Sequence, residues 1–402
     1  MNSATARGVG RGLIIAAMAV GLLSAADRAA SATALPDYVI ENFGEPPPVP
    51  DGPLSDATKL ALSILLDGSK AQANWGGGQD LALAEIAGSG DPRLAWIISD
   101  LMRFIWQRRV SNALAAAGAE LLGIEFDGGE RWNEVTDHLI AWRIPAFPGY
   151  LESKREIFLN YVPDWDPLFV EGDIDWRLVS WGGVLMDARP YDRTDARCRD
   201  CIPAVDNPEV SSAEDATWLK DEDVVFGVTI NGESRAYPRR IMEVREMVND
   251  TLGGRDLGIP YCTLCGAAQA FFTDDVPDGV ARPVLRTSGL LSRSNKVMFD
   301  VETFSVFDTF LGKAVTGPLA EKGVQLKQAT VVTTDWGSWR RAHPDTTVLI
   351  EAHALGRDFD FRSGRDANGP IFPVGDVDPR LPVQEDVIGV ITASGEPVAF
   401  PR

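Results

Sequence analysis

Three observations predict an α+β chain of more than one domain. Apolar residues recur at i, i+3, i+4 spacing between Ser55 and Tyr161, the period of helices buried on one face. From about Arg189 the composition turns to β-branched and aromatic runs punctuated by glycine, two of them joined by Asn231-Gly232. A chain of 402 residues also exceeds what one small core organises. The expected order is a signal peptide over 1–34, a proline-rich lead-in over 35–54, an α-helical domain over 55–188 and a β-rich domain over 189–402.

Arg7 and Arg11 precede an apolar run from Leu13 to Leu23, and Ala32-Thr-Ala34 follows. A basic start, a run too short to span a bilayer comfortably and an A-x-A end predict a secretory signal, hence a periplasmic or secreted protein, with an uncleaved N-terminal anchor as the alternative. No later stretch is long and apolar enough to suggest a membrane span once that signal is removed. The formal charge of −20 is spread along the chain. It disfavours nucleic acid and anionic lipid as partners, since both would be repelled, and leaves an unknown protein partner or a small ligand.

After the extended lead-in around Glu45-Pro-Pro-Pro-Val-Pro50, Ser55 is a good N-cap for a helix carrying Ala57, Leu60, Ala61, Ile64 and Leu65. A second helix is expected near Asp80–Ala87. A third starts at Asp91 with Pro92 at its first turn, and Leu94, Ile97, Ile98, Leu101, Phe104 and Ile105 form its stripe. An alanine-rich fourth covers Val110–Leu122, and helical patterns continue through Trp132–Trp142 and Tyr150–Tyr161. Short helices with small-residue faces and Gly-Asp-Pro breaks resemble a HEAT-like array, an architecture that presents a concave partner surface, and fit equally a helical cap packed onto the next domain. Trp165, Trp176 and Trp181 read as core at the junction that follows.

In the second half, Asp223–Ile230, Asn231-Gly232 and Glu233–Tyr237 form the clearest hairpin. The pattern Glu222-Asp-Val-Val…Ala236-Tyr-Pro-Arg239 recurs as Glu385-Asp-Val-Ile…Ala399-Phe-Pro-Arg402, which gives the domain two related hairpin segments. Between them a helix is expected over Pro238–Val248, a strand leading into Cys262, strands near Val297–Phe299 and Val348–Ile350, and a short helix at Trp336–Ala342.

The chemistry concentrates in four cysteines, arranged as Cys198-Arg-Asp-Cys201 and Cys262-Thr-Leu-Cys265. The second pair sits in an apolar strand–turn–strand stretch, and Gly266 permits the positive φ that folds two thiols together. Two such pairs can supply four thiolates to zinc, or to copper as a soft metal, with sulfurs about 2.3 Å from the ion. Export favours one or two disulfides instead. A redox pair or nucleophilic thiol is the third reading, although Gly266–Phe272 reads more as strand than as the helix whose dipole activates such thiols. Histidine is scarce (His138, His343, His353), and His343 is the possible additional ligand. Asn249, Asp250, Ser288, Asn295 and Asp300 are candidate pocket residues, and Arg293, Arg340 and Arg341 candidate anion contacts. No G-x-S-x-G, Walker loop, H-E-x-x-H or C-x-x-C-H motif is present, which removes the usual support for hydrolase, nucleotide and c-type haem readings.

Several runs carry a family resemblance: Asn231-Gly-Glu-Ser-Arg-Ala-Tyr-Pro238, Val248-Asn-Asp-Thr-Leu-Gly-Gly254, Tyr261-Cys-Thr-Leu-Cys-Gly266, Ser288-Gly-Leu-Leu291, Asn295-Lys-Val-Met-Phe-Asp300, Thr316-Gly-Pro-Leu-Ala320 and Trp339-Arg-Arg-Ala-His-Pro-Asp345. Residues 200 to 402 thereby resemble the bacterial family called domain of unknown function 3179. The resemblance implies a shared fold and brings no activity or cofactor with it. Where that family reads Trp-His-Glu before Val-Asn-Asp, this chain has Val244-Arg-Glu246, and Cys198-Arg-Asp-Cys201 looks like an addition to the pattern.

Overall fold

A computed structural model describes residues 34–69, 75–193, 197–351 and 369–401. The signal-peptide expectation, apart from Ala34, and His353 lie outside these residues. Helices come first: α1 (Asp37–Phe43), α2 (Asp56–Ser69), α3 (Gly77–Gly88), α4 (Ala95–Phe104), α5 (Arg108–Leu122), α6 (Arg131–Ala141) and α7 (Tyr150–Tyr161). Ser55 caps α2 by accepting the Thr58 N–H at 3.1 Å. Asp91 accepts the Arg93 N–H at 3.1 Å and starts a 3₁₀ turn at Pro92 that leads into α4.

Helix α1 falls inside the lead-in expected to be extended. Seven residues cannot sustain a helix alone; Val39, fully buried, ties this one to the core beside α6. The packing centres on α4, which is buried on nearly every face and touches α5, α6 and α7. A HEAT-like array would confine contacts to adjacent pairs. Trp165 and Trp176 are buried, and Trp181 stacks on Phe104 at 5.2 Å. No helix among the described residues is long and apolar enough to cross a membrane.

The β-rich part opens with β1 (Val179–Trp181), β2 (Val205–Asp206), β3 (Val210–Ser212), β4 (Val224–Ile230) and β5 (Glu233–Pro238). Next come α8 (Arg239–Arg245), β6 (Met247–Leu252), β7 (Arg255–Cys262), β8 (Ala267–Ala268) and β9 (Ala270–Phe272). After them run β10 (Leu285–Ser292), β11 (Asn295–Asp300), β12 (Val306–Asp308), α9 (Gly317–Glu321), β13 (Lys327–Ala329), β14 (Val332–Asp335), α10 (Trp336–Ala342) and β15 (Thr347–Leu349). The last pair is β16 (Val387–Ile391) and β17 (Pro397–Pro401).

Three sheets form the body, in the strand orders β1-β10-β11-β12, β13-β9-β7-β6-β2 (with β8 on β7) and β14-β4-β5-β15-β3. Asn231 and Gly232, at φ 51° and 87°, make the expected two-residue turn between β4 and β5. The expected helix over Pro238–Val248 stops at Arg245, because Glu246 turns left-handed and Met247 enters a sheet. β16 and β17 pair with each other as a separate hairpin, largely exposed, whereas β4 and β5 lie inside their sheet. The helices share one apolar cluster with Leu290, Val297 and Phe299, so β10 and β11 join the helical part to the sheet that carries Cys262.

Candidate functional site

The strand β7 ends at Cys262, which pairs with Ala267 in β8 across a turn closed by Gly266 at φ 65°. That left-handed glycine is the one the sequence calls for. Cys262 and Cys265 form a disulfide, with Cα atoms 5.2 Å apart. Their surroundings differ. Cys262 is 2 % exposed and its Sγ accepts the Cys265 backbone N–H at 3.2 Å. Cys265 is half-buried and lines a cleft of about 260 Å³.

Two elements hold the turn from outside. The β10–β11 connection is Arg293-Ser294, with φ 45° and 67°, and neither residue is glycine. Two left-handed L-residues cost roughly 1–2 kcal/mol each, so packing around the turn enforces the shape. It places Asn295 Oδ1 3.4 Å from Cys265 Sγ, ready to accept the S–H of a reduced Cys265. On the other side, Glu246 accepts the Thr263 hydroxyl at 2.7 Å through its carboxylate, and its carbonyl accepts the Tyr261 N–H at 2.9 Å. Lys296 also donates to the Glu246 carbonyl, and its Nζ lies 3.6 Å from the Glu246 carboxylate. Lys296 is 3 % exposed, and burial lowers its pKa to about 8 against the pull of Glu246.

The far wall of the cleft comes from 369–386, a strap with no regular structure. Arg293 donates to the Val374 carbonyl at 2.6 Å and to the Asp376 carboxylate at 3.3 Å. Asp137, on α6, accepts the Val374 and Gly375 N–H groups at 2.8 and 2.7 Å, and burial raises its pKa to about 6. Gly375, at φ 73°, lies so close to α6 that a Cβ there would fall 2.3 Å from Ile140 Cγ2.

Of the five pocket candidates, the structure brings only Asn295 to a cysteine. Asn249 bonds Asp206 and both backbone groups of Leu285. Asp250 accepts from Arg235 at 2.6 Å and from Tyr237 at 2.7 Å. Ser288 donates to the Val297 carbonyl, and Asp300 accepts the Val284 and Thr303 N–H groups. His343 caps the end of α10, its Nδ1 3.1 Å from Ser234 Oγ and its ring 4.0 Å from that of Trp339. Arg293 reaches the strap, Arg340 pairs with Asp221, and Arg341 donates to Ser338.

The four sulfurs do not converge. Cys198 and Cys201 close their own disulfide, with Cα atoms 5.5 Å apart, and Cys201 bridges Leu185. Among the described residues, the one metal-competent group is Asp187 with Cys198 and Cys201, its donor atoms within 4.8 Å of one another. Neither Cys262 nor Cys265 belongs to it. Asp187 already accepts Arg189 Nε at 2.7 Å and the Ala204 N–H at 2.8 Å, with Arg286 at 3.7 Å.

Lys296 and Glu246 escaped the sequence reading, although both sit in or beside runs that carry the family resemblance. A lysine in a strand ordinarily reads as a solvent-facing residue, and only the long-range pairing puts this one inside. The strap escaped too, because it reaches Cys265 from a distant part of the chain.

These features define a class: an α+β protein whose β-rich half sets a cysteine pair into the wall of a cleft. Residues 199–402 match the family described as "Protein of unknown function (DUF3179)", and the chain belongs to that family. The match takes in Cys201, Cys262 and Cys265 and begins just after Cys198. No curated protein and no solved structure matches the chain.

Proposed function

We propose that Cys262–Cys265 is a reversible thiol–disulfide site, with Cys265 as the exchanging sulfur. The asymmetry of the pair carries this reading: Cys265 faces the cleft, while Cys262 is buried with an N–H aimed at its sulfur. A substrate thiolate attacks Cys265 Sγ, and the Cys262–Cys265 bond breaks with its electron pair leaving on Cys262. The Cys265 N–H stabilises that thiolate, which makes Cys262 the better leaving group. A second substrate thiol then attacks the substrate sulfur of the mixed disulfide and releases Cys265. Two substrate thiols become one disulfide, and the pair gains the two electrons and two protons they give up. An oxidising exported location, as the N-terminal pattern suggests, suits this chemistry.

The test is equilibration of the native protein in dithiothreitol redox buffers, followed by peptide mapping with limiting iodoacetamide. Reversible opening at a potential above about −300 mV, with Cys265 alkylated before Cys262, supports the assignment. A pair that stays closed until the protein is denatured sinks it.

A second reading keeps a metal. Zinc or copper would be held by reduced Cys198 and Cys201 with Asp187, on the strength of their grouping. Arg189 and Arg286 beside Asp187 weigh against a cation there. The metal reading for Cys262 and Cys265, with His343 as added ligand, finds no third His, Cys, Asp or Glu grouped with the pair among the described residues. The helical part as a partner surface rests on the sequence pattern alone.

A further inference from the structure

We infer that the cleft over Cys265 selects a cysteine carried in an apolar, non-acidic stretch of extended polypeptide; this rests on Cys262–Cys265 being exchangeable. The cleft gives the chemical reason. Leu264, Ile371, Val374, Val377 and Val383 line it, and about 260 Å³ is below the roughly 300–1,000 Å³ of pockets that enclose whole small molecules. It takes one or two side chains beside a sulfur. Val383 is 49 % exposed and Ile371 likewise, so the apolar wall is open to an incoming chain.

The rim supplies the charge preference. Glu385 lines the cleft of a protein whose formal charge is −20, and Arg293 is already engaged by the strap. Acidic thiols are repelled there, and a basic flank is attracted. Gln384 to Asp386 then run straight into β16, where Ile388 is 62 % exposed. Among the described residues, β16 and β17 pair only with each other, so the outer edge of β16 is open to strand addition. An extended segment laid along that edge leads to the cleft mouth. A small free thiol would gain nothing from it.

Three synthetic single-cysteine peptides test this on the full oxidised chain, at equal thiolate concentration. One has Leu and Val around the cysteine and Lys at its ends. The second keeps Leu and Val but ends in Glu, and the third keeps Lys but has Ser and Gly around the cysteine. Opening of Cys262–Cys265 is read by peptide mapping and scaled to dithiothreitol. The apolar basic peptide should react about tenfold faster than either of the others, the low end of electrostatic and contact selection at a cleft. Glu385→Gln should narrow the gap to the acidic peptide, and Val377→Ser with Val383→Ser the gap to the polar one. These side chains are surface-exposed or half-exposed, and folding is checked by circular dichroism. Equal rates for the three peptides, with dithiothreitol opening the bond normally, overturn the selectivity alone. Failure of dithiothreitol to open the native bond overturns the exchange site itself, and the inference with it.

Discussion

Lys296 Nζ lies 3.6 Å from the Glu246 carboxylate, and both side chains are buried under the turn that joins Cys262 to Cys265. An ion pair sealed from water is costly to assemble and more costly to break on one side. Its position explains the expense: Glu246 grips Thr263 between the two cysteines, and Lys296 follows Asn295, which faces Cys265.

Lys296→Met should lower stability by about 1–3 kcal/mol, because it leaves the buried Glu246 carbonyl without the N–H donor that Lys296 supplies even as a neutral amine. Urea unfolding checks this; a variant as stable as the wild type would remove that hydrogen bond from the account.

The same lysine sets a pH dependence. Its native pKa is about 8, below the ordinary 10.5, so between those values the unfolded chain holds more protons than the native one. Stability should rise through that window, by on the order of 3 kcal/mol in all. Below about pH 8 this gain is absent. Urea midpoints measured from pH 7 to 10.5 should show the rise in wild type and not in Lys296→Met.

Asp137 works in the opposite sense. Burial raises it from 3.8 to about 6, so the native state binds the extra proton and this contribution is lost as pH climbs through that window. Asp137→Asn should flatten the stability profile between pH 4 and 6 while leaving the alkaline rise intact.

The strap can be lifted from two places. Asp137→Ala removes the acceptor of two backbone N–H groups, and Gly375→Ala forces a Cβ against Ile140 at a left-handed position. Each should raise the alkylation rate of reduced Cys265 by about tenfold, the effect of some 1.4 kcal/mol on opening. Cys262, buried by the sheet rather than by the strap, should stay slow. Equal acceleration at both cysteines would mean general loosening.

For the metal reading, a chelator should leave the melting temperature of the oxidised protein unchanged. A fall of several degrees on chelation, reversed by zinc, would restore a metal to the structure.

Local signals were legible wherever one residue dictates a backbone shape. Gly266 at a positive φ, Asn231-Gly232 in the hairpin and the bounds Tyr150–Tyr161 and Trp336–Ala342 follow from the sequence as read. What stayed hidden depends on distant partners. Helix α1 exists through the burial of Val39, and β10 is buried on both faces while carrying Arg286, Thr287 and Ser288, so it lacks the apolar–polar alternation that marks a strand. The Arg293-Ser294 turn contains no residue that favours its conformation. Asn295 was found by its place in a family-like run, whereas Lys296 next to it needed the fold to show that it points inward.

Every strand that fixes Cys262 and Cys265 in space lies before residue 351, while the wall that faces Cys265 is built from 369–386. Reactivity and admission thus reside in separate stretches of chain. Substitutions in the later stretch can change what reaches Cys265 without touching the scaffold that presents it.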